Sequence, residues 1–414
     1  MILRARVVLP IVGPAIRDGG VVVSGTRIRA VGPWRDFRKR TAGQHVDLGE
    51  VVLMPGLVNA HCHLDYTLMA GQFSPPKHFI DWLRSITSTK AQWTTAEYKE
   101  SWQKGAQMLL RTGTTTVADV EAVPQLLPEV WEATPLRIIS LLEMIGITRR
   151  RPPETVLREA LGKISILGHK RCSIGLSPHA PYSTVVQLLR MSGVLARRRG
   201  WLLCTHVAES STEFEMFKEA KGEMFEWLRR SGREMEDCGT ASPVEHLERC
   251  GLLRENLVAT HANYLARGDA RLLAKRRVSV VHCPRSHAFF RHDPFPLKRL
   301  TRAGVNVCLG TDSLATVVQY RREPVELDLF AEMRLLAHRH NWLSSAAILR
   351  MATVHAARAL GRQGSIGELS PGAFADMVVL RVSDNKKRVA DAILEHRGLV
   401  AASMIDGQWA LPPS

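Results

Sequence analysis

Histidines recur in this sequence at the ends of short apolar runs, where a strand would give way to a loop. An H-x-H pair, His61 and His63, closes the first of these runs. Because side chains alternate across a strand with period two, both imidazoles are expected on the same face. Two imidazoles on one face supply half of a metal site, and zinc or ferrous iron suits ligands of this type.

Later runs end in further side chains that would complete such a site. His206 follows the fifth run and Asp312 follows the eighth. Three neutral imidazoles and one carboxylate hold a divalent ion and leave a position for water. Glu209 and His261 also fall at strand ends and are candidates for moving protons. A lone histidine at a strand end is more often a structural hydrogen-bonding group, but several at one rim favour a catalytic site.

The elements that would position these residues repeat one pattern, an apolar and β-branched run followed by a helical stretch. The seven intervals between His61 and Asp312 average about 36 residues, the length that a strand and a helix need together. Continuously apolar strands are typical of a parallel sheet buried on both faces. We therefore predict an α/β fold, a (β/α)8 TIM barrel. The alternative is an open doubly wound sheet, which no G-x-G-x-x-G motif supports. The eight runs are 51–63, 114–120, 136–144, 172–182, 202–210, 256–265, 278–287 and 305–313.

The two ends of the chain differ from its middle. Short alternating β runs separated by Gly-rich turns occupy both ends. They predict a small composite β-sandwich domain built from residues 1–55 and 362–414, beside a barrel domain of residues 56–361. Within the barrel, one helix is expected to open at Ser183 and to stop at Gly200 after an arginine-rich last turn.

The composition excludes several classes of protein. The 414 residues are 45% hydrophobic and 23% charged, which is typical of a globular chain rather than a disordered or fibrous one. No run of about 18 apolar residues is present, so no membrane-spanning helix is expected. Seven scattered cysteines without a C-x-x-C pair, and a first segment unlike a signal peptide, predict a cytoplasmic protein.

The net charge of +16 is the one unusual quantity in the composition. A strongly basic chain raises the possibility of nucleic-acid binding. The basic residues, however, lie in short dispersed clusters without interleaved aromatic residues. This pattern favours a solvated arginine-rich surface. A second interpretation is an electropositive entrance to the active site that favours an anionic substrate. We expect a small-molecule substrate as the partner, and neither nucleic acid nor a membrane. The clusters are 149–151, 197–199 and 386–388.

Motifs that span almost the whole chain resemble the amidohydrolase superfamily, in its mononuclear deaminase and chlorohydrolase branch. In order they are MPGLVNAHCHLDYT, GTTTVADV, SPHAPYS, THVAES, HCPRSH, GTDSLAT and SIGELSPGAFADMVVL. The resemblance implies one divalent metal, Zn²⁺ with Fe²⁺ as the alternative. Binuclear members of the superfamily carry a lysine at the end of the fourth strand, where this chain has His179. The resemblance assigns four metal ligands, a proton shuttle and a group that orients water or the leaving group: His61, His63, His206 and Asp312; Glu209; and His261.

The same resemblance bears on the substrate. The segment KHFIDWL is similar to one in deaminases of adenosine-type compounds, in which an acidic residue before Trp-Leu contacts the ribose hydroxyls. Because it contains a phenylalanine, this segment is most similar to that of aminodeoxyfutalosine deaminases. The segments of S-adenosylhomocysteine and methylthioadenosine deaminases come next. The motif HCPRSH departs from the usual HNPxSN, because Cys283 and His287 replace two asparagines. The candidate substrate-binding residues are His179, Asp81, Trp82, His282, Arg285 and Ser313.

The implied reaction is the hydrolytic deamination of an aminopurine nucleoside. A metal-activated water would attack the ring carbon that bears the amino group. Asp312 and His261 would accept its proton, and Glu209 would protonate the ring nitrogen and then the leaving ammonia. A chlorohydrolase or a guanine deaminase of the same fold stays open, as does, more remotely, a non-catalytic nucleic-acid-binding protein. The resemblance is also compatible with a homodimer.

Overall fold

A computed structural model describes residues 1–39, 43–148, 150–162, 170–319, 324–382 and 388–413. Arg149, Lys386 and Lys387, which belong to the predicted basic clusters, lie outside these residues. Two eight-stranded sheets organise the part of the chain that is described. No helix in this part is both long and apolar enough to cross a membrane.

The strands fall into three groups along the chain. The first group is β1 (Ile2–Val8), β2 (Ile16–Ser24), β3 (Arg27–Pro33), β4 (His45–Asp47) and β5 (Val52–Pro55). The second group is β6 (Leu57–Cys62), β7 (Thr114–Glu121), β8 (Arg137–Met144), β9 (Cys172–Pro178), β10 (Leu203–Val207), β11 (Leu257–His261), β12 (Ser279–His282) and β13 (Asn306–Leu309). The third group is β14 (Met377–Leu380), β15 (Ala402–Ile405) and β16 (Gln408–Leu411).

Helices separate the strands of the second group and follow the last of them. Up to β10 they are α1 (Phe79–Lys90), α2 (Thr95–Arg111), α3 (Leu127–Glu132), α4 (Pro153–Leu161) and α5 (Val186–Arg199). Between β10 and β13 they are α6 (Ser211–Glu219), α7 (Glu223–Arg230), α8 (Pro243–Arg249), α9 (Asp269–Lys275), α10 (Pro284–Phe289) and α11 (Leu297–Arg302). After β13 they are α12 (Leu329–Arg339), α13 (Ser345–Met351), α14 (Val354–Ala359) and α15 (Val389–Leu394).

The second group forms the predicted barrel. Its strands pair in parallel and in chain order from β6 to β13. The circle is closed by a bridge between Cys62 and Asp312, whose backbone N–H donates to the His61 carbonyl at 3.1 Å. Gly310 permits this approach, because a Cβ there would lie 2.7 Å from the His61 carbonyl oxygen. Each of the eight predicted runs contains one barrel strand, apart from the last residue of β7, so this prediction is confirmed.

Strands from the two chain ends share the other sheet. Its order is β16-β15-β14-β5-β1-β2-β3. β4 pairs in parallel with the first residues of β1, Ile2 to Arg4, and β5 pairs with its last residues, Val7 and Val8. The antiparallel pairing of β14 with β5 joins the C-terminal strands to the N-terminal ones. Buried side chains of both ends, such as Leu3 and Met404, belong to one apolar cluster. The expectation that the two ends pair beside the barrel is confirmed.

The first predicted run serves both sheets. Residues 52–55 form β5 in the terminal sheet, and residues 57–62 form β6 in the barrel. A buried arginine also connects the two sheets: the Arg137 guanidinium, at the start of β8, donates to Asp376 at 3.0 Å and to Asp406 at 2.6 Å. The barrel and the terminal sheet therefore share both a continuous segment of chain and a buried ion network.

The helix predicted to open at Ser183 begins three residues later. Val185 is the N-cap of α5, while Ser183 lies in a 3-10 turn and its Oγ contacts His179 Nδ1 at 2.6 Å. The Ser183 side chain is therefore engaged with a strand-end histidine rather than with the helix terminus. The end of the helix is as predicted, because Gly200 takes a left-handed conformation with φ of 65°.

Candidate active site

The H-x-H pair lies on β6 and in the loop directly after it. The His61 and His63 rings are 4.9 Å apart, centroid to centroid, and both side chains are buried. His61 Nδ1 lies 3.3 Å from Thr260 Oγ1 on the sixth barrel strand. The other ring nitrogen of His61, Nε2, is buried without a hydrogen-bond partner. An unsatisfied buried nitrogen of this kind is available to a metal ion.

His206, at the end of β10, faces this pair. Its Nδ1 donates to the His179 carbonyl at 2.8 Å, since a carbonyl only accepts. This hydrogen bond fixes the tautomer and leaves a lone pair on Nε2, the usual preparation of a metal-binding imidazole. His206 Nε2 lies 3.3 Å from His63 Nε2. Burial lowers the pKa of His206 well below 6.5 and that of His63 to about 3, so both rings are neutral.

Asp312 completes the set from the loop after β13. Its Oδ1 lies 3.7 Å from His61 Nε2 and 3.7 Å from His63 Nε2. The backbone of Asp312 is left-handed, with φ of 55°, a conformation that is uncommon for residues other than glycine and concentrates at functional sites. Burial alone would lower the pKa of His61, but the Asp312 carboxylate raises it to about 10. A cation bound here would therefore compete with the proton on His61.

These donors fit a single divalent cation. Ligating atoms of His61, His63 and His206, and of His61, His261 and Asp312, lie within 4.8 Å of one another in each set. Ligands bound tetrahedrally at 2.0–2.1 Å are roughly 3.3–3.4 Å apart, close to the spacings of 3.3 and 3.7 Å found between these atoms. Three imidazoles and one carboxylate are also the ligand types that zinc and ferrous iron accept.

Glu209 and His261, the residues predicted to transfer protons, lie next to each other. Glu209 Oε1 lies 3.5 Å from His261 Nε2. Asn263 Nδ2 donates to the Glu209 carbonyl at 2.9 Å, and the Glu209 N–H donates to Glu213 Oε2 at 2.9 Å. Burial, followed by the charge of Asp312, raises the pKa of the Glu209 carboxyl well above 4.5. This shift favours the protonated carboxyl of Glu209, whereas burial lowers the pKa of His261 to about 3 and favours the neutral ring.

One cavity of about 180 Å³ collects these groups at the carboxyl ends of the strands. Its wall includes eight residues proposed from the sequence: His63, His206, Glu209, His261, Asp312, His179, Trp82 and Ser313. His61 lies beneath them with no exposed surface. The structure therefore brings the predicted metal and proton-transfer residues together in a single site.

Three predicted substrate contacts lie outside the wall of this cavity. Asp81 faces solvent, with its side chain 58% exposed and an Arg84 nitrogen 3.9 Å away. His282 is stacked on Phe295, with ring centroids 3.8 Å apart. Arg285 is bound to the fully buried carboxylate of Glu332, which also accepts the Arg285 N–H at 2.8 Å. These three side chains are engaged elsewhere in the described structure.

Sequence reasoning missed several polar residues of the wall, including three that form a chain of contacts through Lys90. Tyr66, Lys90 and Glu143 all line the cavity. Glu143 had a usable signal, because it stands near the end of the third predicted run, 136–144. Lys90 is the last residue of α1 and Tyr66 lies in a 3-10 turn after β6. Neither position carries a comparable signal in the sequence.

Comparison with known proteins agrees with this geometry. Residues 52–410 match the amidohydrolase family. The chain belongs to the amidohydrolase family. It is a hydrolase of carbon–nitrogen bonds other than peptide bonds.

This amidohydrolase has relatives that share one name. It is 34% identical over 388 residues to the 5-methylthioadenosine/S-adenosylhomocysteine deaminase of Syntrophobacter fumaroxidans, a match that covers 89% of this chain and 81% of that protein. The protein of the same name from Thermococcus onnurineus is 30% identical, over 86% of this chain and 80% of its own length.

Solved structures of this fold include deaminases and a chlorohydrolase. An adenosine deaminase from Xanthomonas campestris with bound zinc is 27% identical, with a TM-score of 0.84 over 99% of this chain and 92% of that one. Aminofutalosine deaminase from Helicobacter pylori, in complex with methylthio-coformycin, has a TM-score of 0.87 and 21% identity over 99% of both chains. Atrazine chlorohydrolase from Arthrobacter aurescens with zinc has a TM-score of 0.84 and 20% identity, over 99% and 94% of the chains. The last two show the shared fold alone.

Proposed function

We propose that this amidohydrolase deaminates an adenosine-type nucleoside by hydrolysis at one bound zinc ion. The observation that carries the proposal is the convergence of four side chains able to hold a metal ion with the buried carboxyl of Glu209 at one cavity, His61 lying directly beneath its wall. The names of the relatives support the substrate class, and aminodeoxyfutalosine, S-adenosylhomocysteine and methylthioadenosine are its candidate members. Fe²⁺ is the alternative metal.

The ligands for the ion are His61, His63, His206 and Asp312. An ion held by these four residues would supply an activated water, since such a metal lowers the pKa of bound water from 15.7 to about 7. The neutral His261 ring is placed to orient the attacking water and, with the Asp312 carboxylate, to accept its proton. Because its buried carboxyl keeps a proton, Glu209 donates it to the ring nitrogen beside the reacting carbon. The resulting Glu209 carboxylate then takes the proton of the added hydroxyl group and passes it to the amino group, which leaves as ammonia while the ring carbon becomes a carbonyl. The proton accepted by Asp312 and His261 returns to Glu209.

His179 is the proposed contact for the purine or ribose. Its ring borders the cavity with its centroid 4.8 Å from that of His206. Its Nδ1 is engaged by Ser183 Oγ at 2.6 Å, so the other ring nitrogen, Nε2, is left for the substrate. Trp82 supplies an aromatic face on the same wall, and its Nε1 is buried without a partner. Ser313 adds a hydroxyl beside Asp312.

The test is ammonia release by zinc-loaded protein from aminodeoxyfutalosine, S-adenosylhomocysteine, methylthioadenosine, adenosine and guanine. Clear turnover of a ribosylated compound is the expected result. Turnover of guanine alone would replace the proposal with a guanine deaminase. Because a chlorohydrolase shares the fold, chloride release from a chlorotriazine is measured in parallel, and chloride release without ammonia would overturn deamination.

We also propose that the enzyme works in the cytoplasm as a homodimer. The seven cysteines are all free and buried, which agrees with a reducing compartment. Light scattering of the purified protein tests the dimer, and a single-chain mass would refute it. Fractionation of the source cells tests the location.

A further inference from the structure

The active-site cavity carries a carboxylate for which the proposed reaction has no role. Among the described residues of its wall the carboxylates are Glu209, Asp312 and Glu143. The first two belong to proton transfer and metal binding. Glu143, near the carboxyl end of β8, has a side chain only 6% exposed. A group buried to this degree costs free energy unless it is paired, so its presence needs an explanation.

Lys90 is the partner that keeps Glu143 charged. Its Nζ lies 3.5 Å from Glu143 Oε2 and is also hydrogen-bonded to Tyr66 Oη. Burial alone would raise the pKa of Glu143, but Lys90, followed by His179, lowers it to about 2. The carboxylate is therefore ionised at neutral pH, and the ion pair has no net charge.

The ion pair is also tied to the metal site. The Tyr66 ring stacks on the His63 ring, with centroids 5.2 Å apart and planes within 10°. Lys90, Tyr66 and His63 thus form a continuous line of contacts along the wall. A substrate whose reacting carbon lies at the metal would place a neighbouring part of itself against this line.

The chemistry of the ion pair selects the kind of group that it can bind. Because the pair has no net charge, it has no net attraction for a substrate carboxylate or for a substrate ammonium. Neutral hydroxyls suit both partners, because a carboxylate only accepts and an ammonium only donates. Lys90 approaches Oε2, which leaves Oε1 and further lone pairs for two O–H donors. A vicinal diol offers two donors close enough together for one carboxylate.

We propose that Glu143 binds the vicinal hydroxyls of the substrate sugar and that Lys90 holds the carboxylate in place for this contact. The inference rests on the proposed nucleoside substrate. It assigns to Glu143 the contact that the sequence suggested for Asp81, whose side chain points to solvent. Hydrogen bonds to a charged group are the stronger ones. Loss of the contact is therefore expected to reduce kcat/KM by about 10- to 100-fold.

Kinetics with Glu143→Gln test this contact. Adenosine, or the ribosyl compound with the fastest turnover in the ammonia-release assay, is compared with its 2′,3′-dideoxy analogue in both proteins. We expect the variant to lose about 10- to 100-fold in kcat/KM on the ribosyl substrate and to match the wild type on the dideoxy analogue. Equal losses on both substrates, or no loss on either, would overturn the assignment.

Control variants separate this role from a structural one. Glu129→Gln removes the carboxylate of an exposed ion pair with Lys99 and is expected to leave both reactions unchanged. Metal content and melting temperature are measured for every variant. Should Glu143→Gln not fold, Lys90→Met at a side chain 24% exposed replaces it. That variant must also lose activity selectively on the ribosyl substrate.

A binding measurement distinguishes failure of this inference from failure of the proposed function. Inosine and 2′,3′-dideoxyinosine have no amino group to release, so their affinities are independent of deamination. Calorimetry should show tighter binding of inosine by about 10- to 100-fold, and Glu143→Gln should remove the difference. If no nucleoside is deaminated but this difference is found, the function fails and the diol contact stands. Equal or absent binding of the two ligands overturns the contact.

Discussion

The proton on Glu209 allows the sharpest test of the proposed mechanism. Glu209→Gln keeps the size of the side chain and its place beside His261, where the carboxyl oxygen now lies 3.5 Å from Nε2. The amide has no proton to transfer at neutral pH. General acid–base catalysis contributes about 10²–10⁴-fold, or about 2.7–5.4 kcal/mol of transition-state stabilisation at 1.36 kcal/mol for each factor of ten. We expect kcat to fall by this factor and zinc to stay bound.

The assay is ammonia release at saturating substrate, with metal content measured by mass spectrometry on the same sample. Glu213→Gln is the matched control, because that carboxylate lies four residues away, is fully buried and is not part of the cavity wall. Its Oε2 accepts the Glu209 N–H at 2.9 Å, a bond that a glutamine oxygen also makes, so we expect a loss below about tenfold. Full activity of Glu209→Gln with bound metal would refute the assigned role. So would equal losses in the two variants.

Three further predictions concern the metal, the junction of the two sheets and pH. His206→Ala should purify with less than one metal per chain and without activity, and a chelator should inactivate the wild type until zinc is restored; activity in metal-free protein would contradict this. Arg137→Met should lower the free energy of unfolding in urea by about 3–5 kcal/mol, because it leaves the Asp376 carboxylate, which is 2% exposed, without its guanidinium partner. Adding Asp376→Asn should recover part of the loss. Burial raises the pKa of Glu121 to about 7, so the folded protein binds a proton that the unfolded chain releases near 4.3. Stability from this group is present below about pH 4.3 and is lost as pH rises to about 7. Across this range the free energy of unfolding should fall less steeply with pH in Glu121→Gln than in the wild type, and an equal slope in the two proteins would contradict the assignment.

The barrel could be predicted because its signals are local. Each strand is an apolar run, and each run ends in the residues that line the rim, so strand number and rim composition can both be read along the chain. The two-residue spacing of His61 and His63 places both rings on one side without any knowledge of the tertiary fold. The sequence predicts too early a start for α5, because Ser183 resembles an N-cap while its hydroxyl contacts His179 instead.

Which residues line the wall of the cavity depends on the directions in which their side chains point, and the sequence does not specify these directions. Asp81 and Trp82 are neighbours in α1, and successive helical residues point about 100° apart. Trp82 therefore lines the cavity while Asp81 faces solvent. Arg285 is held by Glu332, which lies 47 residues further along the chain. Such partners are known only once the helices are packed.

Taken alone, the sequence determined the eight strands, the chain ends that pair and the candidate residues for metal binding and proton transfer. Each of these follows from residue types and short spacings. Tertiary structure alone decided that Lys90 and Glu143, which are separated by 53 positions, meet at the cavity wall. It also decided which charged side chains line the cavity, because orientation depends on the packing of elements that are distant in the chain.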